Sequence, residues 1–407
     1  MWAVVKAFQI GLARLSLAVA FLVASCGGQP VTGHTSSASP AGSTGTVTSA
    51  AVPSTTSSPS HGPTVGTGAW STTTAMSTSR SYHSATRLPS GKVLVAGGYT
   101  GGFNSNALAS TELFDPATST WSASAPMLRP HAAHTATLLE NGKVLVVAGR
   151  STGGDSTAAE LYDPAHNLWS PGGNIIVART THKALLLRSG KVLIWGGFGP
   201  AGVNPPAELY DPDANGWSVI PATNEHFIND ANVLPDGRIL ALGDIENYSF
   251  QFAGIFDPVT SVWTSVRRPP VSMAFSVALS NGNVLFYGNY APGSPRLAEE
   301  YDSATNTWSL TSAMRVALFG QPILLRDGRV LVTGSAMNVE PGCGSGCPNA
   351  EVFAPSDGSW TLTKPMAIDR GEQSTTLLAD GRVLVAGGFI PPNPDTNATV
   401  EIFDPAG

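Results

Sequence analysis

Seven short apolar runs, each closed by glycine at both ends, punctuate this chain. They are Gly91-Lys-Val-Leu-Val-Ala-Gly97, Gly142-Lys-Val-Leu-Val-Val-Ala-Gly149, Gly190-Lys-Val-Leu-Ile-Trp-Gly196 and Gly237-Arg-Ile-Leu-Ala-Leu-Gly243, then Gly282-Asn-Val-Leu-Phe-Tyr-Gly288, Gly328-Arg-Val-Leu-Val-Thr-Gly334 and Gly381-Arg-Val-Leu-Val-Ala-Gly387. The runs are too short and too β-branched for helices and read as strands. Before each stands a turn such as Pro89-Ser90-Gly91, Glu140-Asn141-Gly142 or Pro235-Asp236-Gly237. Asn-Gly and Asp-Gly between apolar runs predict tight hairpins in which both central residues take positive φ.

A third segment ends in an acidic-aromatic-Asp-Pro signature: Glu112-Leu-Phe-Asp-Pro116, Glu160-Leu-Tyr-Asp-Pro164, Glu208-Leu-Tyr-Asp-Pro212 and Glu401-Ile-Phe-Asp-Pro405. Gly254-Ile-Phe-Asp-Pro258 belongs to the same series, which decays to Glu300-Tyr-Asp-Ser303 and Glu351-Val-Phe-Ala-Pro355. Asp-Pro sets a turn, and a tryptophan then opens a fourth strand at 121, 169, 217, 263, 308 and 360. These tryptophans are expected to pack between neighbouring sheets. The opening glycines lie 51, 48, 47, 45, 46 and 53 residues apart. Four antiparallel strands at a period near 50 make each unit one blade of an all-β propeller.

The basic residue and His entering strand one, the glycine after strand two, aromatic-Asp-Pro and then Trp resemble the kelch repeat. The likeness runs over residues 67–407 and implies seven four-stranded blades. Trp70 precedes the first repeat, and the seventh lacks a fourth strand before Gly407. An open sheet edge is a pairing hazard, so the N-terminal strand carrying Trp70 is expected to close the last blade.

Composition adds the front of the chain. Only 12% of the 407 residues are charged, the net charge is −6, and no basic run occurs. Duplex nucleic acid binding needs a clustered basic face, so nucleic acid is not an expected partner. Residues 1–26 read as a targeting segment: Lys6 and Arg14 precede a nine-residue apolar run, Leu15 to Val23, too short to span a bilayer. Val23-Ala24-Ser25-Cys26 resembles the lipobox of bacterial lipoproteins. That resemblance implies a lipidated Cys26 at the mature N-terminus and an exported, membrane-anchored protein of a bacterial cell envelope. The alternative is an ordinary secretory signal that leaves Cys26 a free thiol. Residues 27–66, rich in Ser, Thr, Gly, Pro and Ala, are expected to form a disordered tether. Cys343 and Cys347 in Cys-Gly-Ser-Gly-Cys are expected to form a disulfide in an exported chain. A zinc site there would need two more ligands, and only Glu340 is near.

The variable lengths lie after strand two and before strand one, two loop sets that an up-and-down blade places on one face. Functional residues concentrate on such loops. Eleven residues before the repeat glycine stand Arg80, His131, Arg179, His226, Val271, Ala317 and Arg370; eight before it stand His83, His134, His182, Asn229, Ala274, Gly320 and Gln373. One reading is a basic funnel for an anionic or sugar ligand. The other has each Arg or His bonding the backbone of a neighbouring blade, which is the preferred reading for His83, His134 and His182. Ligand contact is expected from the loop residues Tyr99, Phe103, Asp155, Phe198, Asp244, Glu246, Tyr248, Tyr290 and Arg296 together with Arg80, His131, Arg179, His226 and Arg370. Asp230, Asp244 and Glu246 are the acids nearest that face.

Arg80-Ser-Tyr82-His83-Ser and Cys343-Gly-Ser-Gly-Cys347 are similar to fragments of galactose-oxidase-type copper radical enzymes. That likeness implies Tyr82 and His83 as copper ligands. Here the two fragments fall in the first and sixth blades, and the sixth reads Ala317-Leu-Phe-Gly320 where Tyr-His belongs. Copper requires imidazole and phenolate ligands together, so the full ligand set is not assembled. No other catalytic constellation or cofactor motif occurs. The expected function is a monomeric, surface-tethered module binding a protein or polysaccharide; the alternatives are a degenerate copper oxidase or a carbohydrate-active hydrolase.

Overall fold

The computed structural model describes residues 67–407 except 103–104, 200–204, 222–225, 247–248, 270–274, 288–295, 317, 337–347 and 391–394. The described residues form seven four-stranded antiparallel sheets in a ring, with no helix. Blade 1 comprises Ser84–Arg87, Val93–Ala96, Thr111–Asp115 and Thr120–Ala123. Blades 2 and 3 repeat that order from Thr135–Leu138 and Lys183–Leu186. In blade 4 the hairpin Ile239–Glu246 / Ser249–Asp257 is longer, as is the pair Val330–Ala336 / Pro348–Ala354 in blade 6. Blade 5 begins at Phe275–Ala278. In blade 7, Ser374–Leu377, Val383–Ala386 and Val400–Asp404 are completed by Ala69–Thr73, paired antiparallel with Trp70 opposite Phe403. The first strand of every blade touches the first strand of the next, and the seventh touches the first. The ring is closed as the unpaired Trp70 segment predicts.

Each apolar run is buried on both faces. Val93 and Val95 pack into the cluster between blades 7 and 1, whereas Leu94 and Ala96 pack between blades 1 and 2. The same alternation puts Val144 and Val146 in one interface, Leu145 and Val147 in the next. Successive side chains point to opposite faces, so a strand with an interface on either side must be apolar throughout. Seven hydrophobic clusters result, one per blade interface.

Each tryptophan faces the aromatic of the Asp-Pro signature across the ladder: Trp121 on Phe114, Trp169 on Tyr162, Trp360 on Phe353 and Trp70 on Phe403, with ring centroids 5.0–5.1 Å apart. The indole N–H reaches back to the preceding blade. Trp169 donates to Ala125 O and Trp217 to Gly172 O, both at 2.8 Å, and Trp308 donates to Arg267 O at 2.7 Å. These indoles supply apolar area and one directional bond to the same interface.

The hairpin turns depart from the Asn-Gly expectation. Only the glycine has positive φ: Gly91 87°, Gly142 81° and Gly237 90°. Its N–H bonds three residues back, Gly142 N to Leu139 O at 3.0 Å, and Leu139 N then bonds Lys143 O. This is a type I turn followed by a left-handed glycine, the three-residue hairpin geometry.

The glycines after strand two are demanded by close approach. A Cβ on Gly97 would sit 2.2 Å from His131 O of the next blade, and one on Gly98 would sit 2.6 Å from Ser81 O of its own. Blade 2 has Ala148 at the first of these positions, fully buried at φ 57°. A left-handed alanine is strained by about 1–2 kcal/mol. Ala148→Gly is therefore expected to stabilise the fold by up to about 1 kcal/mol after the entropy of glycine in the unfolded chain is subtracted. Chemical denaturation measures this, and a less stable variant would contradict it.

Candidate functional site

The repeat-encoded basic residues do not line a funnel. Arg80, His131, Arg179 and Arg370 have no exposed surface. Each is paired with the glutamate of its own blade's signature: Arg80 with Glu112 at 2.8 Å, His131 with Glu160 at 3.1 Å, Arg179 with Glu208 at 2.7 Å and Arg370 with Glu401 at 2.6 Å. The same glutamates cap the link entering strand one. Glu112 accepts from Ser77 N and Thr78 N, Glu160 from Leu128 N and Arg129 N, and Glu208 from Ile176 N and Val177 N. The arginines also donate to the carbonyl of the glycine after strand two, as Arg80 does to Gly97 O at 2.7 Å. Burial lowers each guanidinium pKa, opposed by the glutamate beside it. These four residues pin strands one to three inside each blade, which corrects the expectation that they meet a ligand. Tyr99 is corrected likewise, being 1% exposed.

The divergent blades lose this wedge in steps. In blade 4, Gly254 replaces the glutamate, and half-buried His226 stacks on Phe252 at 3.7 Å and 13°. A Cβ at Gly254 would lie 2.6 Å from the Phe252 ring, so that stack excludes a side chain there. In blade 6, Glu351 keeps two backbone donors, Arg315 N at 3.0 Å and Val316 N at 2.6 Å, while alanine stands at the cation position in the sequence; burial raises its carboxyl, opposed by those amides and by Arg315 and Arg296. In blade 5, Glu299 is fully buried and neither carboxylate oxygen has a partner among the described residues. Pro269, two places ahead of the cation position, has no N–H to give, and Val271 replaces the cation.

Burial raises the Glu299 carboxyl to about 7. A raised carboxyl pKa means the native state keeps a proton that the unfolded chain releases near its ordinary value. The penalty therefore grows from pH 4.5 to about 7 and is constant above. Glu299→Gln removes it. The variant is expected to exceed the parent by up to about 3 kcal/mol above pH 7 and to match it near pH 4.5. Thermal melts from pH 5 to 8 test this; a gain independent of pH would contradict it.

The second motif position forms part of a polar belt around the inner ring. His83 Nε2 is 2.8 Å from Ser374 Oγ, His134 Nε2 2.9 Å from Ser84 Oγ, and His182 Nε2 2.8 Å from Thr135 Oγ1. Gln373 donates to Thr333 Oγ1 at 3.1 Å. Lys183 Nζ meets Asp230 Oδ1 at 2.8 Å, Asp230 accepts from Ser276, and Tyr287 donates to Gly320 O. Each link joins adjacent blades, so all seven interfaces are tied near the axis. The partners are mostly side-chain hydroxyls, where the sequence reading expects backbone. Burial, the largest cause, lowers His83 and His182 to about 3 and His134 well below its ordinary value, so the three rings are neutral.

One residue earlier, Tyr82, Ala133, Thr181 and Glu372 all adopt left-handed backbone, φ 50–54°. Their amides form an arc: Thr181 N donates to Ala133 O, Ala133 N to Tyr82 O and Tyr82 N to Glu372 O, at 3.0–3.2 Å. Glu372 ends this arc and its side chain is exposed to solvent. Burial first, and then Glu372, raises the Tyr82 hydroxyl.

The link before strand one and the loop after strand two meet on one face, as expected. Bridges join Ser81 to Tyr99, Ala132 to Arg150, Thr180 to Phe198 and Gly371 to Phe389. On blade 2 the loop continues as a two-residue ribbon, Arg150–Ser151 with Gly154–Asp155. It borders a cavity of about 330 Å³ reached by Arg129, Asp155 and Asn174 together with the hydroxyls of Ser151, Thr152 and Ser156. Sequence reasoning missed Arg129 and Asn174, which flank the blade rather than belong to its motif. Arg296 is half-buried and donates to Arg315 O. Asp244 lies in the strand Ile239–Glu246. Cys26, Phe103, Tyr248, Tyr290, Cys343 and Cys347 fall outside the described residues.

The ring, the motif and the closing strand together define a seven-bladed β-propeller. A Kelch motif matches residues 80–128, the first repeat with the link into the second. No curated protein matches the chain by sequence. Among solved structures, a fungal alcohol oxidase of the AA5 family in complex with copper superimposes with a TM-score of 0.67 at 17% identity. The match covers 83% of this chain and 76% of that one. The similarity is one of fold. Among the described residues no three His, Cys, Asp or Glu side chains converge as a metal site. His83, the imidazole of the Tyr82-His83 pair, is 8% exposed and bonded to Ser374. The described donor set does not fit copper.

Proposed function

We propose that this chain is a binding propeller, exported and lipid-anchored through Cys26, that takes a protein or polysaccharide on its loop face. The observation that carries the reading is the fate of the charged repeat residues. Arg80, His131, Arg179 and Arg370 are consumed inside the blades, and the loop after strand two of blade 2 presents polar side chains of its own around a cavity. A rigid ring presenting variable loops suits recognition. The experiment is capture from envelope extracts and soluble polysaccharides by the full chain, against a control with the blade 2 ribbon replaced by a two-glycine link. Retention of a specific ligand by the full chain supports the reading; no ligand at all overturns it. The anchor is tested separately: Cys26→Ala is expected to release the protein from membranes, and continued membrane association overturns that part.

The second reading, a copper alcohol oxidase, rests on the structural similarity alone. Stoichiometric copper in purified protein, with alcohol-dependent peroxide release, would replace the binding reading.

A further inference from the structure

We propose that the blade 2 cavity is an oligosaccharide subsite, an inference that rests on the binding function above and names its ligand class. The lining is Arg129, Ser151 to Ala158 and Asn174. It contains no aromatic and no aliphatic side chain larger than alanine. A lipid or an apolar peptide would lose its driving force there, because apolar burial supplies it. The lining instead supplies donors and acceptors: the Arg129 guanidinium, three hydroxyl-bearing residues from 151 to 156, the Asn174 carboxamide and the Asp155 carboxylate.

Asp155 is the key acceptor. Its side chain is 18% exposed, and its ionic contact is a long one, 3.9 Å to Arg150 Nε. Burial raises its carboxyl. A half-buried acceptor with one long ionic contact gains from a hydroxyl donor that comes with the ligand. A carboxylate facing the cavity also disfavours phosphate or sulfate, which would need cations alone. Peptide augmentation is disfavoured too, since the ribbon offers two residues per strand. A polyol fits what remains: it donates to Asp155 and accepts from Arg129 and Asn174.

The floor is equally suited. Gly153 and Gly154 have φ 97° and 137°, and a Cβ on either would meet nothing within 4 Å. The glycines are thus required by the ribbon's backbone, and they leave the cavity open above it.

The test is an array of immobilised neutral and acidic oligosaccharides probed with the full chain, followed by calorimetric titration of the bound oligosaccharide. Arg129→Ala, Asp155→Asn and the cavity-filling Thr152→Trp are then compared. The expected result is a saccharide hit that weakens at least tenfold in each variant while the melting temperature stays unchanged. Binding undiminished in the variants overturns the subsite but leaves the binding function standing. No saccharide hit while a protein is captured overturns the ligand class alone. Neither saccharide nor protein bound overturns both. Thr152 and Arg129 are exposed and outside the core, so the variants retain the fold.

Discussion

Removal of residues 1–73 is expected to destroy the closed ring, whereas removal of residues 1–66 leaves its melting temperature unchanged. The strand Ala69–Thr73 pairs five residues with Val400–Asp404. Trp70 packs on the cluster between blades 6 and 7, tilts against Phe403 at 5.0 Å, and donates to Thr363 Oγ1 at 3.1 Å. Deleting one packed tryptophan costs about 3 kcal/mol or more, and each lost ladder bond adds roughly 1 kcal/mol. The sum approaches the whole of a typical stability of about 5–15 kcal/mol. It also exposes the edge at Val400–Asp404, which promotes association. Melting and light scattering of the two truncations decide the matter. Equal melting would show that blade 7 holds with three strands.

The second large effect is at the buried wedge. Arg179→Met is expected to cost about 3–5 kcal/mol, because Glu208 would keep its charge in the blade interior with only the amides of Ile176 and Val177 as partners. The loss includes the bonds to Gly196 O and Pro206 O. Arg179→Met with Glu208→Gln should recover a substantial part, since no uncompensated charge remains. Chemical denaturation of the single and double variants measures both. A cost below about 1 kcal/mol would place the pair among exposed ion pairs and contradict its burial.

The two effects lie on either side of what could be read from residues alone. Trp70 is legible: four Asp-Pro signatures and two decayed ones are each followed by a tryptophan, the seventh is not, and Trp70 stands just ahead of the first repeat. The arithmetic needs no coordinates because blades are counted by a local, repeating signal. The pairing of Arg179 has a subtler signal in the sequence. The cation eleven residues before the glycine and the glutamate of the signature occur together in blades 1, 2, 3 and 7. They are separated by 29 to 32 residues. Where one is lost, in blades 4 to 6, the pair is broken. A charge that recurs with its counter-charge in register marks an internal pair; read singly, the same arginines suggested a binding funnel.

The cavity on blade 2 illustrates the opposite limit. Its walls come from the link before strand one, the loop after strand two and the end of the blade's last strand, Leu168–Asn174. Nothing periodic joins Arg129, Asp155 and Asn174, so their meeting could not be inferred from spacing. The copper question divides in the same way. Tyr82-His83 is a two-residue fragment visible in sequence, but whether its imidazole is available depends on Ser374, 291 residues away.

By itself, then, the sequence determined the number of blades, their four-strand make-up and the closing strand, because β periodicity, turn chemistry and repeat register are local properties summed over seven copies. Tertiary structure alone decided which polar groups remain open to a ligand. That depends on pairing across blades and on burial, and both are set by contacts between residues far apart in the chain.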